Sequence, residues 1–322
     1  MGQRLSTLLG WIEGLQATRV IDLGKEWEIL PVSGDASFRR YFRVKAGCRT
    51  WIAVDAPPEK EDNQKFVTIA RSWLKQGVYV PDVVSIDLEQ GFMLLSDFGD
   101  QLLLPALNEK SVDQLYELAM AELYRIQSCN AESLPVYDSL LLQREMALFK
   151  DWFLVSLLKV DLDLGEQECI DVAFSLLEVN ALEQPSVCVH RDYHSRNLMI
   201  TPEHTPGVID FQDAVNGPIT YDLVSLLRDC YISWPDEQVY EWVAFFRKEL
   251  VKRSVLSADI SIDHFERWFD LMGMQRHLKA IGIFARLSMR DDKHRYLQDI
   301  PRTLQYVILV AKNILNWSSL VC

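Results

Sequence analysis

Leu5, Leu8, Leu9, Ile12 and Leu15 recur at three- and four-residue spacing, so residues 4–17 are predicted to form a short amphipathic helix. Short apolar runs follow, and residues 27–32, 38–44 and 50–54 read as strands. A tight loop at 33–37 and a turn at Ala46-Gly47 join them. Helical spacing returns from Asn63 to Gln76 through Phe66, Ile69, Ala70, Trp73 and Leu74, and stops at Gly77, a suitable C-cap. Strands at 83–86 and 92–95 complete a small five-stranded lobe around one helix. From Asp97 onward the pattern is mainly helical, over 111–128, 140–158, 167–180, 221–229, 237–253, 264–287 and 303–315. A cassette of three short apolar runs, 187–189, 198–200 and 207–209, interrupts those helices. The expectation is an α+β, bilobal chain. Residues 1–97 would form an N-terminal lobe with an antiparallel sheet and one helix, and 98–322 a larger, mostly helical lobe.

The chain has 322 residues, enough for two lobes sharing one site. Apolar residues make up 49% and charged ones 25%, the balance of a globular protein with ample core. A net charge of −13 argues against a nucleic-acid partner, which would require a basic face. The same charge would repel a free nucleoside triphosphate, so a phosphate site must be locally basic or rich in magnesium. Six cysteines without Cys-x-x-Cys spacing suit reduced thiols and a cytoplasmic location. No secretory pattern opens the sequence and no apolar run reaches membrane-spanning length, so no membrane partner is expected. No obligate protein partner is evident either.

The cassette carries the candidate chemistry. His190-Arg191-Asp192-Tyr193-His194-Ser195-Arg196-Asn197 lies between two apolar runs, and Asp210 ends the third, thirteen residues after Asn197. Phosphoryl transfer needs a base aimed at the acceptor hydroxyl and hard oxygen ligands that hold magnesium on the phosphates. Asp192 can supply the base; Asn197 and Asp210 can supply the ligands. A second reading makes His190, Asp192 and His194 a zinc or iron cluster, but it leaves Asn197 and Asp210 unexplained. His190 is expected to fix the loop rather than to catalyse. Asp213 is a candidate for the sugar or the metal shell, with loop capping as the alternative.

The order strand-rich lobe, His-x-Asp-x-x-x-x-Asn, Ile209-Asp210-Phe211, then Tyr221-Asp222-Leu223 resembles the aminoglycoside phosphotransferase branch of the protein-kinase-like fold. The resemblance implies that Asp192 is the base and that Asn197 and Asp210 hold Mg2+ with ATP as co-substrate. It also implies that His194 is usual in the loop, and that Asp222 supports the loop from the next helix. Residues 34–43, 55–60, 275–280 and 296–302 further resemble bacterial anomeric sugar kinases of cell-wall recycling. That narrower likeness implies phosphorylation of the 1-hydroxyl of N-acetylmuramate or N-acetylglucosamine. Rival readings are an aminoglycoside- or choline-type acceptor, a protein kinase, which lacks an Ala-Pro-Glu segment here, and a non-catalytic nucleotide-binding scaffold.

One departure stands out. Kinases place a phosphate-gripping Lys on the third strand, paired with a Glu from the small-lobe helix. Here Asp55 stands near the Lys position and the helix offers Lys65, so a sign-reversed Asp55–Lys65 pair is expected. Phosphate contact would then pass to Gly34, Asp35 and Ser37 in the tight loop, or to Arg39, Arg40 or Arg43. A plain hairpin turn and a solvated strand face are the competing accounts. Asp97-Phe98-Gly99 has the letters of the kinase metal motif but precedes Asp192, so Asp97 is placed instead on the connector meeting the adenine edge. Arg276 and His277, with Lys279, form a basic group suited to a sugar carboxylate, or a solvated helix face.

Overall fold

In the computed structural model, which describes residues 2–32 and 38–314, the predicted first helix is α1 (Gln3–Ala17), and Leu8, Ile12 and Leu15 are its buried stripe. The described chain divides into two compact units, Met1–Leu102 with Met199–Gln212, and Leu103–Leu198 with Asp213–Cys322. The first unit contains β1 (Glu28–Val32), β2 (Arg40–Ala46), β3 (Arg49–Asp55), α2 (Asn63–Lys75), β4 (Val83–Asp87) and β5 (Phe92–Ser96). Its antiparallel sheet runs β1-β2-β3-β5-β4, and α1 packs Leu8, Ile12 and Leu15 with Val44, Ala53, Phe92 and Leu94 of that sheet. Asp62 caps α2 by accepting from Lys65 N at 3.0 Å. Gly91 precedes β5 at φ 72°, and a Cβ there would lie 2.0 Å from the Ala56 carbonyl oxygen. Only glycine lets the two segments approach so closely.

The second unit begins with α3 (Val112–Gln127) and α4 (Ser139–Leu148), which continues into a π-helical stretch, Phe149–Leu157. After α5 (Leu164–Leu182) comes the cassette, β6 (Ser186–Val189), β7 (Leu198–Met199), β8 (Gly207–Val208) and β9 (Val215–Pro218), of which Met199–Gln212 belongs to the first unit. Then follow α6 (Tyr221–Leu227), α7 (Asp236–Lys252), α8 (Ile262–Asp291) and α9 (Ile300–Ile314). β9 pairs antiparallel with β6, from Ser186↔Pro218 to Val189↔Val215, and gave no sequence signal because Gly217 and Pro218 break its pattern.

The 30-residue α8 is the axis of this unit and is buried on every side over much of its length, including polar Gln275, Arg276, His277 and Lys279. Ser261 caps its start, accepting from His264 N at 3.1 Å. At Gly282 a Cβ would sit 2.3 Å from the Leu148 carbonyl carbon, so glycine sets the contact between α8 and the end of α4. Among the described residues no helix is long and apolar enough to cross a membrane.

Candidate active site

The loop between β6 and β7 holds Arg191 at φ 77°, a left-handed conformation unfavourable without support for a residue that carries a Cβ. That support comes from Asp222 at the start of α6, which is wholly buried. Its Oδ2 accepts from His190 N at 2.6 Å and its Oδ1 from Arg191 N at 3.0 Å. Burial raises the Asp222 pKa to about 7, opposing those two N–H bonds, and the charge of Asp192 adds to the rise. A second buried carboxylate, Asp229, accepts from Ser195 N at 2.9 Å and Ser195 Oγ at 2.5 Å. Asn197 Nδ2 donates to the Asp192 carbonyl at 3.0 Å. The peptide on each side of Asp192 is thereby tied to the unit's interior.

The half-buried Asp192 carboxylate meets opposing influences. Burial pushes its pKa up, but Lys279, His194 and Arg191 outweigh that and hold it below the usual carboxylate range. It is therefore ionised at neutral pH, as a base must be. Its cations are themselves anchored on Glu145. Lys279 Nζ lies 2.9 Å from Glu145 Oε1 and 3.0 Å from the Tyr221 hydroxyl, while Arg191 Nη2 and the Tyr137 hydroxyl also donate to Glu145. Burial pushes Glu145 up, yet Lys279 and Arg191 bring it below its ordinary pKa. Sequence reasoning missed Glu145 and Asp229. Glu145 lies within α4 and Asp229 just past the end of α6, neither in a local motif, and only packing brings them to the loop.

His190 is buried, with Nδ1 3.2 Å from Asp192 N and its ring edge-on to Tyr193; the His194 ring meets Tyr231 edge-on at 5.3 Å. Among the described residues no three His, Cys, Asp or Glu side chains converge as metal ligands.

In the first unit, the β7–β8 hairpin is fastened by Ile200 N to Gln101 O (2.7 Å) and Val208 N to Tyr79 O (2.8 Å). Phe211 is buried against Phe66 and Trp73, with ring centroids 4.9 and 5.7 Å away. Asp210, one residue earlier, is exposed at φ 66°, and its Oδ1 accepts from Gln212 Nε2 at 2.7 Å. Taken singly, the carboxylate of Asp210 and the amide oxygen of Asn197 are hard oxygen donors of the kind magnesium takes. Asp213 is exposed, and its carbonyl rather than its carboxylate contacts Arg191, at 3.3 Å.

Several expectations are corrected. The Asp55–Lys65 pair does not form: Asp55 is wholly buried between the guanidinium groups of Arg4 and Arg40, which reach it from α1 and β2. An arginine fork on each carboxylate oxygen satisfies a buried acid better than one flexible ammonium. Arg39 is paired with Glu61 at 3.0 Å, and Arg43 with Asp97 at 2.6 Å and Asp100 at 2.6 Å. Arg39 and Arg43 are largely enclosed while Arg40 is about half exposed on β2, and each of the three already holds a carboxylate. The Asp97 carboxylate is likewise consumed, by Arg43 and by Gly99 N at 2.9 Å, so only its backbone can meet a base edge. Gly34, Asp35 and Ser37 lie outside the described residues.

The basic group on α8 is not an exposed face. His277 is wholly buried, its Nε2 2.8 Å from the Arg228 carbonyl and its ring stacked on Tyr306 at 4.8 Å. Burial, with the Arg276 charge beside it, lowers its pKa to about 3. A neutral, enclosed imidazole does not contact a substrate. Arg276 and Lys279 are also buried, by α8 packing on α4 and α6.

Residues 28–252 match the model of the phosphotransferase enzyme family. The chain belongs to that family. A curated relative from Pseudomonas aeruginosa, an N-acetylmuramate/N-acetylglucosamine kinase, is 46% identical over 281 residues, 87% of this chain and 82% of the relative. One of the same name from Pseudomonas putida is 39% identical over 313 residues, covering 94% and 91%. Among solved structures, the Plasmodium vivax ethanolamine kinase aligns with TM-score 0.65 at 10% identity, over 92% of this chain and 88% of that one. The fold is thus kinase-like, with an antiparallel-sheet N-terminal region and a mostly helical C-terminal part. The protein is a phosphotransferase of the kinase type.

Proposed function

We propose that this enzyme transfers the γ-phosphoryl of ATP to the anomeric hydroxyl of N-acetylmuramate or N-acetylglucosamine, in the cytoplasm, as a step of cell-wall recycling. The names of the relatives support the sugar class. The observation that carries the chemistry is the ionised Asp192, held on a loop whose backbone is bonded to Asp222 and Asp229. Asp192 orients the sugar hydroxyl and takes its proton as the new P–O bond forms. An anomeric hydroxyl is more acidic than an ordinary alcohol, which suits a carboxylate base of low pKa. Asn197 and Asp210 are the residues that would hold magnesium, which would supply positive charge against the charge that develops on the phosphates. Gly34, Asp35 and Ser37 are assigned to the nucleotide phosphates.

ATP consumption should be measured with both amino sugars, an aminoglycoside and choline, and the product examined by phosphorus NMR. An anomeric phosphate is expected with the amino sugars. Asp192→Asn should lower kcat by about 10²- to 10⁴-fold without altering the circular dichroism spectrum. Transfer to the other acceptors alone, or an ordinary phosphate ester, would reject the assignment.

A further inference from the structure

Buried cations in this protein come with carboxylates. Arg39 has Glu61 at 3.0 Å, Arg228 has Asp270 at 2.6 Å, and Lys279 has Glu145 at 2.9 Å. Arg276 breaks the rule. It is 5% exposed, its Nη1 lies 3.7 Å from Cys230 Sγ, and among the described residues no carboxylate comes within ion-pair distance of it. The acids in its surroundings are Asp229, Asp192 and Asp222, and the last is bonded to the backbone N–H groups of His190 and Arg191. Asp229 is committed to Ser195 and to Tyr231 N, and Asp192 faces Lys279 more strongly than Arg276. Enclosing a guanidinium without a direct counter-ion is costly, and a folded chain bears that cost where a ligand supplies the anion. The guanidinium fork matches two coplanar oxygens.

We infer that Arg276 is the receptor for an oxyanion of a reactant, holding two of its oxygens within reach of the Asp192 region. The inference rests on the amino-sugar kinase reading. Two reactants offer such oxygens: an acceptor sugar bearing a carboxylate, as N-acetylmuramate does and N-acetylglucosamine does not, and the phosphoryl group in transfer. His277, next along α8, takes no part, because its ring is stacked on Tyr306 and bonded to Arg228.

The full-length enzyme and its Arg276→Gln and Arg276→Lys variants should be compared with both sugars at saturating ATP. If the sugar carboxylate is the anion, Arg276→Gln loses at least about tenfold more kcat/KM toward N-acetylmuramate than toward N-acetylglucosamine, chiefly in KM, and Arg276→Lys recovers part of it. If the phosphoryl is the anion, kcat falls equally with both. Kinetic constants within twofold of wild type for both sugars overturn the inference. Should Arg276→Gln not fold, Arg276→Lys decides by the same comparison, because a lost fork still weakens a bidentate contact. Should the wild-type enzyme phosphorylate neither sugar, the functional reading fails on its own. Thermal-shift titrations with N-acetylmuramate and with inorganic phosphate then decide: stabilisation that needs Arg276 supports the receptor, and stabilisation indifferent to it, or none, overturns it.

Discussion

His277 makes acid stability a sharp test of the interior of α8. Its folded pKa is about 3, against an ordinary value of 6.5, because the ring is enclosed and flanked by the charges of Arg276 and Arg228. In the unfolded chain the imidazole takes up a proton below pH 6.5; in the folded protein it does not until about pH 3. The unfolded state therefore binds more protons across that window, and the contribution of His277 to stability is present above it and lost as pH falls through it. One pKa unit is worth about 1.4 kcal/mol, so at pH 5 the loss is about 2 kcal/mol relative to pH 8. Asp222 slopes the other way: raised to about 7, it favours the folded state at low pH and loses that advantage as pH rises toward 7. The wild-type curve alone therefore conceals both. His277→Gln isolates one, since an amide can still donate to the Arg228 carbonyl but does not titrate. Urea unfolding of both proteins from pH 8 to pH 5 is the assay. Whatever the variant costs at pH 8, its stability relative to wild type should improve by about 2 kcal/mol at pH 5. Parallel curves would mean that the imidazole is not held neutral and that the packing described for α8 is incorrect.

Three further outcomes follow from named contacts. Lys279→Met removes the largest cationic influence on Asp192, so the acidic limb of the kcat–pH profile should move to higher pH; an unmoved limb would dissociate Lys279 from the base. Asp55→Ala leaves Arg4 and Arg40 without their shared carboxylate and should cost about 1–3 kcal/mol in urea unfolding, whereas Lys65→Ala should change stability by less than about 0.5 kcal/mol. Equal effects would restore the pairing that the structure replaces. Gly282→Ala sets a methyl against the Leu148 backbone and should destabilise by about 1–3 kcal/mol, read as a lowered Tm.

Much of the architecture was legible along the chain because its cues are local. The leucine stripe of α1, the closing glycine of α2, and the strand runs of the first sheet depend on near neighbours, and the elements lie close to where periodicity put them. The candidate loop stood out along the chain for a different reason. Phosphoryl transfer constrains which residue types follow one another between two strands, and those letters survive in the order Asp192, Asn197, Asp210. Partnerships were not legible, because a charge's partner is set by distance in space rather than in sequence. Asp55 found Arg4, 51 residues away, rather than Lys65, and Arg191 found Glu145, 46 residues away. The polar run Gln275 to Lys279 looks like a solvated face in one dimension. Only the packing of neighbouring helices around α8 makes it interior, turning one residue into a neutral imidazole, another into the largest cationic influence on Asp192, and leaving Arg276 enclosed with no carboxylate of the described residues at ion-pair distance.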